Sequence, residues 1–127
     1  MKPKYLWPRD FLKSRILFGL RQALADSAPF QPIGIVESPF SVLTLYQHGI
    51  AATCTFGAQL SDEQAAMIAA SGRPTWVLFD PDEAGEIGAI KAKQTLHEHG
   101  CLFVAIVELP GQPDTLTAET LRECLHL

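Results

Sequence analysis

Residues 75–85, TWVLFDPDEAG, join a short apolar run to two aspartates and then to the start of a helical pattern. Residues 33–41, IGIVESPFS, repeat this arrangement with an apolar run that ends in Glu37. Short, nearly continuous apolar runs are typical of strands buried on both faces of a parallel sheet. Both stretches therefore predict a strand that ends in an acidic residue and leads directly into a helix.

The same alternation of strand and helix extends over the chain from residue 33 onward. Strands are predicted at 33–37, 50–55, 75–79 and 102–109. Helices are predicted from the Ser38-Pro39 start to Gly49, from the Ser61-x-x-Gln64 capping box, over 83–99, and from Thr117 to 125. This order predicts the α/β class, with a four-stranded, mainly parallel sheet between two layers of helices.

Residues 1–32 are predicted to form a separate N-terminal segment. Residues 1–10 contain two prolines and no periodicity, which favours an extended arm. Residues 11–25 place apolar side chains at helical spacing, and the stretch DSAPFQP at 26–32 ends that helix. The expected division is a basic arm and helix over 1–32 and an α/β domain over 33–127.

The composition indicates one globular domain with an uneven charge distribution. The chain has 127 residues, of which 47% are hydrophobic and 19% are charged. Residues 1–21 carry six basic residues and one acidic residue, whereas the remainder carries four basic and thirteen acidic residues. A basic arm suits contact with phosphate and an acidic body suits cation binding, although a solvated basic tail explains the arm equally simply.

Other compositional features exclude several classes of protein. The three cysteines are odd in number and form no C-x-x-C pair, which argues against a disulfide framework and a zinc ribbon. No apolar run approaches the roughly 18 residues of a membrane span. The N-terminus lacks the apolar stretch of a secretory signal. We expect a cytoplasmic protein with reduced thiols and no membrane partner.

Three carboxylates are predicted at the carboxyl ends of strands. Glu37 ends the first strand, and Asp80 and Asp82 follow the third. A sheet order of 2-1-3-4 would make Glu37 and Asp80 face each other across the crevice where ligands bind in such folds. Clustered carboxylates favour a divalent cation such as Mg²⁺. The alternative is that 80–83 is simply an acidic helix N-terminus stabilised by the helix dipole.

The residues also resemble a known family. The segments IVE (35–37), LYQ-x-GI (45–50), TFG (55–57), LS-x-EQ (60–64) and FDPD-x-AG (79–85) are similar to a Toprim domain, and more narrowly to that of DnaG-type bacterial primases. The upstream PKYL (3–6) and FLKSR-x-LFGL (11–20) resemble the segment that leads into that domain. The later LPGQPDTL (109–116) resembles its third acidic motif.

The resemblance implies a set of site residues and a chemistry. The family glutamate falls on Glu37, as a general acid/base or metal ligand, and the family D-x-D falls on Asp80 and Asp82 as Mg²⁺ ligands, with Mn²⁺ as a substitute. Asp114 falls in the third motif and is a further expected ligand. Basic residues on the nucleic-acid path fall on Lys4 and Lys13, with Arg15 beside them. The implied reaction is nucleotidyl or phosphoryl transfer in DNA replication or in a mobile element.

Two acidic positions of the family pattern differ here. The first motif usually reads E-G-x-x-D, whereas this chain has Ser38 and Ser41 at the glycine and aspartate positions. In the third motif the first aspartate falls on Gln112. These changes should weaken a second metal ion more than the first.

Several functions therefore stay open. The first is an active primase-like enzyme that uses single-stranded nucleic acid and nucleotides, with a zinc-binding or helicase protein as a further partner. The second is a catalytically degenerate Toprim module that binds nucleic acid or a protein. It is favoured by the two departures and by the absence, within these 127 residues, of the zinc-binding module and most of the basic subdomain of a full primase. The third is a Toprim nuclease. A phosphoacceptor receiver domain is disfavoured because residues 105–113 contain no lysine.

Overall fold

A computed structural model describes residues 16–127. The elements are α1 (Leu20–Ala25), β1 (Ile33–Val36), α2 (Pro39–Gln47), β2 (Ala52–Cys54), α3 (Asp62–Ala70), β3 (Thr75–Val77), α4 (Glu83–Glu98), β4 (Val104–Ile106) and α5 (Ala118–Cys124). A short 3₁₀ helix (Pro113–Thr115) lies between β4 and α5. Within this part of the chain, no helix combines the length and the apolar character that a membrane crossing requires.

The four strands form one parallel sheet in the order β2-β1-β3-β4. Gly34 of β1 pairs with Ala52 of β2 on one side and with Trp76 of β3 on the other. Trp76 in turn pairs with Ala105 of β4. The predicted α/β class and the strand order are confirmed. The carboxyl ends of β1 and β3 therefore lie side by side, at the point where the direction of the strand order reverses.

Helices cover both faces of the sheet and create two core layers. Val36 packs with Leu45 of α2 in the layer that α5 completes. Its neighbour Ile35 points the other way and packs with Ile68 of α3 in the layer that α4 completes. Because successive side chains of a strand face opposite sides, an unbroken apolar run such as β1 fills both layers. The predicted three-layer arrangement is confirmed.

β4 differs from the prediction that every strand is buried on both sides. It spans Val104–Ile106 rather than 102–109, and both Ala105 and Ile106 are exposed. β4 is an edge strand, and in this part of the chain its only strand partner is β3. The apolar run therefore identified the strand, and the order 2-1-3-4 places it at the edge, but the run did not indicate that its side chains are exposed there.

The prediction of one helix over 11–25 is wrong for residues 16–19, while residues 11–15 lie outside the described part. Phe18 forms an antiparallel bridge with Cys54 of β2, and its carbonyl accepts hydrogen bonds from the Cys54 N–H and the Thr53 hydroxyl. Gly19 then adopts a φ of 83° and precedes α1. Pairing with the open edge of β2 thus competes with helix formation and shortens the helix.

The predicted helix starts are confirmed. Ser38 accepts a hydrogen bond at the start of α2, with Pro39 in the first turn. Ser61 and Gln64 form a reciprocal capping box at the start of α3, and Thr117 caps α5. These caps satisfy N–H groups that have no partner within the helix. They also fix where each helix leaves the sheet, which determines where the strand-end side chains lie.

Candidate metal centre

Glu37 and Asp80 are in direct contact at the carboxyl ends of β1 and β3. Glu37 follows β1 immediately, and its Oε2 accepts a hydrogen bond of 2.5 Å from the Asp80 backbone N–H. Both residues are partly buried. The contact follows from the strand order, because β1 and β3 are adjacent and parallel. Residues 43 positions apart in the chain therefore meet in one crevice.

Asp80 lies among other negative charges. Burial raises the pKa of its carboxyl group, and the nearby charges of Asp82 and Asp114 raise it further. Asp114 belongs to the 3₁₀ helix, which packs against α2. The structure therefore brings the third acidic segment to the same end of the sheet as the D-x-D pair.

Glu37 is held in a similar environment. Burial raises the pKa of its carboxyl group, while the hydrogen bond from the Asp80 N–H opposes this shift. The charges of Asp80 and Asp82 raise the pKa again. Neighbouring like charges that raise the pKa of a carboxyl group mark a site where a proton or a cation would relieve repulsion.

Asp82 has a structural role as well. It is the N-cap of α4, and its Oδ1 accepts a hydrogen bond of 2.7 Å from the Gly85 N–H. The interpretation of 80–83 as a helix N-terminus is therefore correct for Asp82. That role uses one carboxylate oxygen for the helix, and it does not account for the contact between Glu37 and Asp80 or for the charge of Asp114 near Asp80.

The two departures from the family pattern in the first motif form a local hydrogen-bonded pair. Ser38 Oγ accepts the Ser41 N–H at 3.3 Å and lies 3.4 Å from Ser41 Oγ. Ser41 is only 3% exposed. The first motif therefore contributes a helix cap, and Glu37 is its sole acidic residue. At the third motif, Gln112 is exposed and precedes the 3₁₀ helix.

Two glycines of α4 pack closely against backbone carbonyls, and one of them, Gly85, adjoins the site, although the sequence reasoning assigned them no role. A Cβ at Gly85 would lie 2.0 Å from the Asp80 carbonyl oxygen, and one at Gly88 would lie 2.1 Å from the Ala58 carbonyl oxygen. Neither glycine has a backbone conformation that requires glycine, so the close approach of a carbonyl oxygen explains why a side chain is not tolerated at either position. The signal in the sequence is the D-x-D-x-A-G pattern, in which Gly85 lies three residues after Asp82.

The donor set suits an open Mg²⁺ site. In residues 16–127, no three His, Cys, Asp or Glu side chains are close enough together to enclose an ion. Mg²⁺ does not need such a cage, because it usually keeps several waters and takes one or two carboxylates plus substrate phosphate oxygens. Oxygen donors from Asp80, and from Asp82 and Asp114, whose charges raise the pKa of Asp80, are compatible with that mode of binding. The expected nucleic-acid contacts Lys4, Lys13 and Arg15 lie outside the described residues.

A doubly covered parallel sheet in the order β2-β1-β3-β4, with a glutamate after β1 and a D-x-D after β3, defines a Toprim-type domain. The family comparison agrees, because a family described as Toprim-like matches residues 34–116. The chain belongs to this Toprim-like family.

Its primase relatives show that it belongs to the primase branch of that family. A DNA primase from Legionella pneumophila is 33% identical over 123 residues, which cover 91% of this chain and 21% of that protein. A DNA primase from Synechococcus elongatus is 31% identical over 122 residues, which cover 89% of this chain and 18% of that protein. The chain thus spans about a fifth of the length of these relatives.

Solved primase structures share the fold. The Aquifex aeolicus primase structure with zinc-binding and RNA polymerase domains aligns with a TM-score of 0.83 and 28% identity, covering 98% of this chain and 33% of that one. A DNA primase domain from Pseudomonas aeruginosa also has a TM-score of 0.83 and 28% identity, with coverage of 99% and 43%. The chain is therefore a Toprim domain of the DnaG-type primase branch.

Proposed function

We propose that this domain carries out Mg²⁺-dependent nucleotidyl or phosphoryl transfer on nucleic acid, in a primase-like reaction of DNA replication or of a mobile element. The observation that carries the proposal is the contact between Glu37 and Asp80 in the crevice between β1 and β3. The charges of Asp82 and Asp114 also act on Asp80 at this point. Carboxyl groups whose pKa is raised by burial and by neighbouring charges cluster at functional sites.

The residues that would hold Mg²⁺ are Asp80, Asp82 and Asp114, and Mn²⁺ would substitute for it. When bound, the ion offsets negative charge on the reacting phosphate and aligns it for in-line attack. Asp80 gains most from the ion, because burial and two neighbouring charges raise its pKa and a cation favours its ionised form. Asp82 would have to contribute an oxygen while keeping the N-cap of α4.

The nucleic-acid partner follows from the distribution of charge. The body of the domain is acidic, so it repels a phosphate backbone except where a cation intervenes. The basic residues Lys4, Lys13 and Arg15, which the family resemblance assigns to the nucleic-acid path, are the proposed contacts for single-stranded nucleic acid. Each phosphate they neutralise would make binding more sensitive to salt. The zinc-binding or helicase protein partner and a cytoplasmic location belong to the same primase-like proposal.

A second candidate is a catalytically degenerate module that binds nucleic acid or a protein partner. It is favoured by the buried Ser41 and the exposed Gln112, which stand where the family pattern has acidic residues. A site short of these two carboxylates would hold one ion better than two. A domain with a single ion would bind and orient phosphate but would stabilise a transferring phosphoryl group less well.

Calorimetric titration of the full chain with Mn²⁺ and Mg²⁺ tests the first candidate. We expect binding with a stoichiometry near one that the Asp80→Asn variant abolishes. The Glu98→Gln variant is a matched control, because it removes an equal charge from the opposite end of α4 and should bind like the wild type. Absence of carboxylate-dependent binding at millimolar metal would refute the metal-dependent function.

Incubation with labelled single-stranded DNA, ribonucleotides and Mn²⁺ then separates the activities. Primer products that Asp80→Asn eliminates support nucleotidyl transfer. Shortened DNA or RNA supports the nuclease instead. Salt-sensitive DNA binding that Lys13→Ala weakens, with neither product formed, supports the binding module.

A further inference from the structure

Glu37 extends the hydrogen-bond ladder between β1 and β3 beyond the last main-chain pair. The Leu78 N–H donates to the Ile35 carbonyl at 2.8 Å. In a regular parallel ladder the N–H two residues further on, that of Asp80, would donate to the main-chain carbonyl of residue 37. It donates instead to Oε2 of the Glu37 side chain at 2.5 Å. A carboxylate thus replaces a backbone carbonyl at this rung.

The replacement follows from where β1 ends. Ser38 caps α2 and Pro39 occupies its first turn, so the chain leaves the sheet directly after Glu37. The glutamate side chain reaches back to the N–H that would otherwise lose its partner. A charged acceptor also makes a shorter and stronger hydrogen bond than a carbonyl does.

The carbonyl of Asp80 is held from the other side. It accepts the Asp82 N–H at 2.9 Å, and Gly85 of α4 approaches it so closely that no Cβ would fit. Both polar groups of the Asp80 main chain are therefore engaged, one by Glu37 and one at the start of α4. The Asp80 side chain projects from a peptide with a fixed place.

We propose that Glu37 is a positioning residue, which holds the Asp80 main chain through this hydrogen bond and thereby acts on the divalent ion through Asp80. The inference rests on the proposed metal-dependent function. Oε2 of Glu37 is engaged by a partly buried N–H, and turning this oxygen towards an ion would leave that N–H without its acceptor, which is unfavourable. Partners that orient a ligand typically change metal affinity by about 10- to 100-fold when they are removed.

Three variants of the full chain separate hydrogen bonding from charge at this position. Glu37→Gln keeps a side-chain carbonyl of the same reach and loses the charge. Glu37→Asp keeps the charge, but its side chain is shorter by one carbon–carbon bond, about 1.5 Å. Glu37→Ala loses both properties. A positioning role requires the acceptor at its present reach, whereas a ligand role requires the charge.

Mn²⁺ affinity measured by calorimetry and by the electron paramagnetic resonance of free Mn²⁺ gives the first comparison. We expect Glu37→Gln to bind more weakly than the wild type, because a negative charge near the ion is lost, but more tightly than Glu37→Asp, because the acceptor keeps its reach. Glu37→Ala and Glu37→Asp should bind about 10- to 100-fold more weakly than the wild type. If Glu37→Asp binds more tightly than Glu37→Gln, charge and not reach determines the affinity, and the positioning role is overturned.

Amide hydrogen exchange at Asp80, followed by ¹H–¹⁵N NMR without metal, gives a second comparison that does not depend on an ion. The Asp80 N–H should be protected in the wild type and in Glu37→Gln and should exchange at least about tenfold faster in Glu37→Asp. The dispersion of the remaining resonances shows that the domain is folded. Equal protection in all variants would overturn the proposal.

The two proposals fail in different ways. If Asp80→Asn leaves Mn²⁺ affinity unchanged, the metal-dependent function fails, and with it any action of Glu37 on an ion. If Asp80→Asn abolishes binding while the Mn²⁺ affinity of the Glu37 variants depends on charge and not on side-chain length, the metal-dependent function stands and only the positioning role is lost.

Discussion

Replacing Gly85 or Gly88 with alanine should separate the stability of α4 from the geometry of the metal site. The two glycines lie on one face of α4, three residues apart. At each of them a Cβ would meet a backbone carbonyl oxygen, that of Asp80 at 2.0 Å for Gly85 and that of Ala58 at 2.1 Å for Gly88. The clashes are nearly equal, but only one of them involves a proposed ligand.

The expected loss of stability is similar for the two variants. Real Cβ contacts are almost never closer than 3.0 Å, so each helix–carbonyl distance has to open by about 1 Å. Overpacking typically costs about 1–3 kcal/mol, and a backbone carbonyl cannot rotate away as a side chain can. Replacing glycine with alanine also stabilises the helix by about 1 kcal/mol, because alanine has the higher helix propensity. Because these carbonyls cannot rotate away, the overpacking cost lies in the upper part of its range, at about 2–3 kcal/mol. The net loss is therefore about 1–2 kcal/mol, or a fall in Tm of about 3–8 °C.

The effect on metal binding should differ between the two. Gly85→Ala displaces the Asp80 main chain and should weaken Mn²⁺ binding about tenfold or more. Gly88→Ala moves the loop at Ala58 and should leave the affinity within about threefold of the wild type. Thermal unfolding and calorimetric Mn²⁺ titration measure the two properties. The reasoning would be refuted by a Gly85→Ala variant as stable as the wild type, or by equal losses of affinity in both variants.

Three further changes test other parts of the structure. Because burial and nearby carboxylates raise the native pKa of Glu37 and Asp80, the stability these groups contribute is present at low pH and is lost as the pH rises through the raised pKa. Asp80→Asn should therefore raise the free energy of unfolding at pH 7 by about 1 kcal/mol. It should also reduce the fall in the free energy of unfolding that occurs as the pH rises above about 4. Urea titrations that show a less stable variant would contradict this. Ser61→Ala removes the capping box and should cost about 1 kcal/mol by thermal unfolding, and an unchanged Tm would show that the cap is dispensable. Arg73 is 8% exposed and donates hydrogen bonds to the Leu24 carbonyl of α1 and to Ser27 and Gln31 in the segment that follows. Arg73→Ala should therefore lower the free energy of unfolding by about 2–3 kcal/mol, whereas Arg21→Ala at an exposed position should be near neutral, and equal urea midpoints would refute this.

Much of the fold was predictable because local signals and tertiary packing agree. The Ser61 capping box, the Ser38-Pro39 start and the apolar run of β1 each specify one element without knowledge of the rest. The failures occur where a distant partner decides. Phe18 lies in a stretch with apolar side chains at helical spacing, but it forms a β-bridge with Cys54. Ile106 continues an apolar run, but its side chain is exposed in the edge strand β4.

The location of the candidate site was also predictable, because parallel strands place their carboxyl ends together. The sequence reasoning could place Glu37 and Asp80 in one crevice from the strand order alone. It could not predict that Glu37 takes a rung of the ladder, since that depends on where β1 leaves the sheet. Nor could it reveal the role of Gly85, because close approach between a helix and a carbonyl depends on how α4 docks.

Ser38 and Ser41, which replace the glycine and the aspartate of the family pattern, act together in the structure. Ser38 accepts the Ser41 N–H and lies beside the Ser41 hydroxyl, so together they secure the first turn of α2. Because Ser41 is buried and engaged there, it offers no ligand to an ion near Glu37. The two serines stabilise the start of α2, and they leave the first motif with Glu37 as its only negative charge. That balance is what a site for one ion requires, because fewer carboxylates need to be neutralised.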